Sequence, residues 1–241
     1  MKTNLKCSFC FLLASSVYSG FAQGFVNLDF NSANIPSGTS SSTFVSITDA
    51  IPGWTAYYGN NLQTAVLYDS LAIGSVNLAI LDANVSFAGF LIPGNENTVV
   101  LQAGGGGPEE VSASISQTAL IPSTANSILF EASLPYAAGW QVSIAGQNIP
   151  VTQISTINSN FGVYAGNISA FAGQVDNLEF TALSGAGPTV NLYLDSISFS
   201  PSPVPEPNSL GLFALGGLIV AWRQWRKSSP KVSPNSSPVE R

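Results

Sequence analysis

Between Phe25 and Ser200 apolar residues alternate with polar ones in short runs, and Gly, Pro, Asn and Ser separate the runs. Successive residues of a strand face opposite sides of a sheet, so a period of two predicts strands with one buried face. The series reads FVNLDF, QTAVLYD, VNLAILD, TVVLQA, VSASISQT, SILFEAS, WQVSIAG, GNISAFAG, DNLEFTAL and TVNLYLDSISFS. In the fifth run Val111, Ala113 and Ile115 alternate with serines; in the last, Val190, Leu192 and Leu194 share a face ahead of an expected switch. GGGGP, after the fourth run, is a loop. No helical period and no fixed-length repeat is present. Some ten short strands in a domain of about 175 residues predict an all-β fold, an antiparallel β-sandwich or jelly roll, with a closed barrel as the alternative.

The pattern changes at both ends. MKTNLKCSFCFLLASSVYSGFAQG has a basic start, an apolar stretch from about Phe9 to Val17, and small residues before Gln23. That is the layout of a secretory signal peptide, expected over residues 1–22 with cleavage after Ala22. Its removal would take away Cys7 and Cys10, the two cysteines, and with them any redox or metal role for the CxxC spacing. The β-sandwich is expected over residues 23–200, followed by a proline-rich tether over 201–208. A short transmembrane helix is expected over 209–222, and a basic cluster with a disordered cytoplasmic tail over 223–241. The continuously apolar or glycine stretch Leu210–Trp222 reaches roughly 20 Å as a helix, short of a hydrocarbon core near 30 Å. Such a segment holds a bilayer weakly, with Arg223, Arg226 and Lys227 on the cytoplasmic side, which suits a transient role.

Charge narrows the function classes. The seven basic residues are Lys2, Lys6, Arg223, Arg226, Lys227, Lys231 and Arg241, and the chain has no histidine. Twelve of the thirteen acidic residues, all but Glu240, fall between Cys7 and Trp222. That portion therefore carries about −12 and has no cation to neutralise phosphates, which excludes nucleic acid as a partner. A serine nucleophile would lack a histidine or lysine base, and zinc would lack its usual nitrogen and sulfur ligands. Carboxylates are the acid–base groups that remain. Glu109 and Glu110 are adjacent after GGGGP, and Asp176 and Glu179 flank a turn entry; both pairs read as solvated or turn residues, and no enzyme activity is expected. Trp54, Tyr57 and Tyr58 are candidate glycan contacts through ring stacking, or else they cap the end of a core. Trp140 reads as core. NVS, NIS and NSS match glycosylation acceptors by motif alone.

Val204-Pro205-Glu206-Pro207, the apolar stretch and the cluster Arg223, Arg226 and Lys227 together resemble the PEP-CTERM sorting signal of Gram-negative bacteria. The resemblance implies export across the inner membrane, transient residence there, and recognition by an exosortase, a membrane-embedded cysteine transpeptidase-like enzyme. It further implies delivery to the cell surface or extracellular matrix in bacteria that make exopolysaccharide, which is then an expected partner. The alternatives are a carbohydrate-binding module with a defined glycan ligand, or an unprocessed domain on a stable type I anchor. The body segments NLDFNSANIP, IPGWTAYYG, ASISQTALIP, VYAGNISAFAGQ and LYLDSISFS are similar to galactose-binding-like jelly rolls, the fold of many carbohydrate-binding modules. In that family an acid after the first strand's aromatic and an acid in the last strand can share a structural calcium ion. The matching positions here are Asn31, after Phe30, and Asp195. Otherwise Asp29, Asn31 and Asp195 are ordinary polar groups at strand ends.

Overall fold

The computed structural model describes residues 23–71, 75–83, 92, 94, 97–104, 111–133, 139–184 and 190–204. The signal segment, Glu109, Glu110, NVS, NSS and everything from Pro205 onward therefore lie outside the described residues. The chain divides into two units between Ser202 and Pro203, and the described residues up to Ser202 belong to the first.

Fourteen strands occur among the described residues. They are β1 (Phe44–Ser46), β2 (Thr55–Tyr58), β3 (Asn61–Gln63), β4 (Ala65–Tyr68), β5 (Asn77–Asp82), β6 (Asn97–Ala103) and β7 (Ala113–Leu120). The remainder are β8 (Ser127–Ser133), β9 (Trp140–Ile144), β10 (Gln147–Asn148), β11 (Val151–Thr156), β12 (Phe161–Asn167), β13 (Val175–Ala182) and β14 (Val190–Ser200). Eight form one sheet in the order β1-β4-β5-β6-β14-β8-β12-β11, and six form the other in the order β10-β9-β13-β7-β2-β3. Neighbours run antiparallel except β4 and β5, which are parallel. The fold is all-β in two layers.

The main core lies between the sheets. Ile115 of β7, Val142 and Ile144 of β9, and Leu178 and Phe180 of β13 meet Leu101 of β6, Phe130 of β8 and Leu192 and Leu194 of β14. A second cluster uses the alternate residues of the larger sheet: Leu67, Ala79, Leu81, Val100 and Tyr193, with Phe161 and Ile92. Both faces of β5 and β6 are thus buried, which explains the unbroken apolar runs LAIL and VVL. The expected switch in β14 is a bulge. Ser196 has φ +50, and the register against β8 shifts between Asp195 and Ser198, so Leu194 and then Ile197 face the main core.

Two expected strands are something else. FVNLDF is an irregular segment: Asn27 and Phe30 are left-handed, with φ +52 and +56, which breaks any ladder. It runs across one end of the sandwich. The Val26 amide donates to Gln117 Oε1 of β7 (2.7 Å), and Leu28 O accepts from the Ile197 amide of β14 (2.9 Å), while Phe30 is fully buried. Its apolar residues are core plugs rather than one face of a strand. GNISAFAG ends β12 at Asn167 and continues as a 3₁₀ turn, Ser169–Phe171. The Asn167 side chain accepts from the Ser169 amide and hydroxyl, an Asx turn that competes with the ladder. A four-residue helix, Ile47–Ala50, also stands where no helix was expected.

Candidate functional site

The aromatic trio separates by strand parity. Along β2 and the residue just before it, Trp54, Ala56 and Tyr58 point inward, whereas Thr55 and Tyr57 point away from the core. Trp54 is 3% exposed; its Nε1 donates to Asn27 O (3.0 Å), and its ring lies 5.6 Å from Phe30 and 6.4 Å from Phe180. The ring is enclosed by protein, so it has no face left for a sugar. Tyr58 is half-buried against the core and its hydroxyl accepts from the Leu78 amide (3.1 Å), bridging the two sheets. Burial raises its pKa, and the Leu78 hydrogen bond partly offsets the rise. Tyr57 keeps a half-exposed ring beside Leu62 of β3, which is 59% exposed, and Ser114 of β7. Of the three residues expected to act together, Tyr57 alone lies on the outer face of the smaller sheet by strand parity, while Tyr57 and Tyr58 are both intermediate in exposure.

Trp140 closes the opposite flank. It packs at 5.7 Å on Phe130 and at 5.1 Å, edge to face, on Tyr164. The Tyr164 hydroxyl and the Trp140 Nε1 are buried without a hydrogen-bond partner among the described residues. Burial pushes the Tyr164 pKa up to about 12.

Asn31 and Asp195 sit in different surroundings. Asn31 is exposed; its amide donates to Asp29 Oδ1 (3.2 Å), and its side-chain oxygen accepts from the Asn97 amide (3.2 Å) and Asn97 Nδ2 (3.4 Å). Asp195 is fully buried at the β14 bulge, opposite Glu131 of β8, and its Oδ1 accepts from the Ser196 amide (2.6 Å). Calcium takes six to eight oxygens. Among the described residues no group of three or more His, Cys, Asp or Glu side chains gathers, and the Asn31 side-chain oxygen faces Asn97.

Asp176 and Glu179 lie three residues apart in β13 and so face opposite sides of the sheet, which keeps them from sharing a reacting group. A carboxylate grouping that the strand pattern did not reveal lies at the parallel pair. Tyr68 donates to Asp82 Oδ2, and the Asp82 amide donates to Asp69 Oδ1 (2.8 Å). Burial raises the Asp69 pKa and the nearby Asp82 charge adds to the rise, against the lowering effect of the Asp82 amide. Burial is also the main cause of a raised Tyr68 pKa. These residues are thirteen positions apart in sequence, and only the β4–β5 pairing brings them together.

The body's C-terminal end is held to Ser202. Ser200 pairs with Ser127 at the end of β14 and β8. Beyond it, Asn126 Nδ2 donates to Pro201 O (2.6 Å), and Ser127 Oγ donates to Ser202 O (2.7 Å). Val204, the first residue of the expected sorting motif, is half-buried; Pro205, Glu206, Pro207, Arg223, Arg226 and Lys227 lie outside the described residues. No helix among the described residues is long and apolar enough to cross a membrane.

No curated protein matches the chain. The secreted serine protease VesC from Vibrio cholerae aligns over 67% of this chain at 13% identity and a TM-score of 0.28, a likeness that carries no argument. The chain spans 43% of that protease's length. Residues 203–227 match the PEP-CTERM protein-sorting motif.

Proposed function

We propose that this protein is exported, that an exosortase removes its C-terminal segment, and that the body is thereby delivered to the cell surface or extracellular matrix. The body, read as a galactose-binding-like jelly roll over residues 23–200, has a non-catalytic structural role in contact with exopolysaccharide. The match at residues 203–227 carries the reading. The sequence around it is consistent in order: a proline-rich tether, thirteen apolar or glycine residues too short to be a secure anchor, then Arg223, Arg226 and Lys227. For the body, the supporting observation is chemical. From Cys7 to Trp222 there is no Lys, Arg or His, so a neutral polymer approaches it without losing ion pairs, whereas a polyanion is repelled.

Mass spectrometry of the C-terminus of the surface-exposed protein tests the sorting step. Truncation at or near the Pro205–Pro207 motif is expected, and recovery of chains that still end in Arg241 would replace sorting with a type I anchor. Affinity electrophoresis in neutral polysaccharide gels tests the body: retardation that Tyr57→Ala weakens is expected, because Tyr57 carries the one ring of the trio on the outer face of the smaller sheet. The galactose-binding-like part of the reading would put a structural calcium ion at Asn31 and Asp195. The engagement of Asn31 with Asn97 argues against that ion, and a thermal melt with calcium against chelator decides it.

A further inference from the structure

We propose that Asn126 and Ser127 are positioning residues for removal of the C-terminal segment: they clamp residues 200–202 onto the sandwich, and processing waits on release of that clamp. The inference rests on the sorting reading above. Its ground is the way the last strand ends. The Asn126 amide donates to Ser200 O (2.8 Å), its Nδ2 to Pro201 O (2.6 Å), and Ser127 Oγ to Ser202 O (2.7 Å). Three successive carbonyls are therefore occupied. The Ser202 amide donates to Ser200 Oγ (3.1 Å), and the Ile168 amide donates to Asn126 O (3.0 Å), which fixes the clamping loop against the chain after β12.

The clamp does what the backbone of this segment cannot. Proline stands at 201, 203, 205 and 207, and proline has no N–H to donate to a ladder. By sequence alone, the chain should leave the sheet after Ser200. Side-chain donors from Asn126 and Ser127 instead hold it for two residues more. Only Pro203 and Val204 then separate the last clamped residue from Pro205. Three steps of an extended proline-rich chain cover about 10 Å at roughly 3.1 Å each. On this proposal a short tether between the clamp and the motif slows capture of the motif by the peptidase, and a longer tether speeds it. Freeing Pro201 and Ser202 adds about 6 Å of reach.

The experiment follows precursor-to-product conversion of the full-length protein by pulse–chase in cells with an active exosortase. The paired substitutions Asn126→Ala and Ser127→Ala are expected to speed conversion, by about fivefold for each side-chain bond lost. A Gly-Ser-Gly insertion between Ser202 and Pro203 leaves the clamp intact and is expected to speed conversion in the unsubstituted body. Once it is present, the two substitutions should add nothing further, a result that a merely structural role would not produce. Conversion of the insertion chain at the original rate, or more slowly, overturns the clamp while leaving sorting intact. Persistence of Arg241 in the unaltered protein overturns the sorting reading, and the clamp with it.

Discussion

Replacing Trp54 with phenylalanine separates a core tryptophan from a sugar-stacking one. The indole is 3% exposed, touches Phe30 and Phe180, and donates to the carbonyl of Asn27. Phenylalanine fills roughly 40 Å³ less, which at about 24 cal/mol per Å³ of residual cavity costs about 1 kcal/mol. The Asn27 carbonyl loses a donor in a partly buried setting, adding about 1–2 kcal/mol. The same residue's Nδ2 donates to Pro52 O (3.2 Å) and its Oδ1 accepts from the Ser32 amide (3.0 Å), so the turn has little freedom to re-aim that carbonyl. A loss of about 2–3 kcal/mol is expected for Trp54→Phe and about 3–5 kcal/mol for Trp54→Ala. For a domain of this size that lowers Tm by roughly 5–10 °C in the milder variant. Urea titration of residues 23–202 measures it, and emission from Trp54 in a Trp140→Phe background should be that of a shielded indole. A Trp54→Phe variant within about 0.5 kcal/mol of the parent would refute the enclosure argument, because an exposed stacking platform predicts that near-neutrality.

Three further substitutions probe local features. Asp69 has a raised pKa in the folded state, so between its unfolded value and that raised value the folded chain holds more protons and stability falls as pH rises. Asp69→Asn keeps an acceptor for the Asp82 amide and suits the left-handed φ of +44, so it should stabilise by a few tenths of a kcal/mol at pH 7 and not at all near pH 3; equal effects at both would refute this. The Tyr164 hydroxyl is buried without a partner, so Tyr164→Phe should be neutral or stabilising by up to about 1 kcal/mol in urea unfolding, and a loss of more than that would reveal a hidden acceptor. Gly53 has φ +88, and a Cβ there would lie 2.5 Å from Val26 Cγ2 and 3.3 Å from Gln117 Nε2. Val26 is pinned from both sides by Gln117 (2.7 and 3.0 Å), so Gly53→Ala should cost about 2–4 kcal/mol by thermal melt, and a tolerated alanine would show that the segment over the sandwich end can move.

What the sequence alone determined is what depends on short-range pattern. Alternation with a period of two marks half-buried strands wherever it occurs, so SILFEAS matches β8 residue for residue, and DNLEFTAL and TVNLYLDSISFS lie within one residue at each end of β13 and β14. The Pro-Glu-Pro tail is a linear signal, legible without a fold. Tertiary structure decided whatever depends on which distant residues meet. FVNLDF alternates like a strand, yet its apolar residues fill the end of a core built by β7 and β14, and left-handed Asn27 and Phe30 suit that task and no ladder. Trp54 and Tyr57 are three apart and look like one platform, but strand parity sends one ring inside and leaves the other half-exposed. Asp69 meets Asp82 through a parallel pairing that no local period announces, and Asn126 reaches Pro201 across seventy-five residues. Burial is periodic along the chain and can be read locally; the choice of neighbour is settled by which long-range contacts together repay the entropy of closing the loops between them.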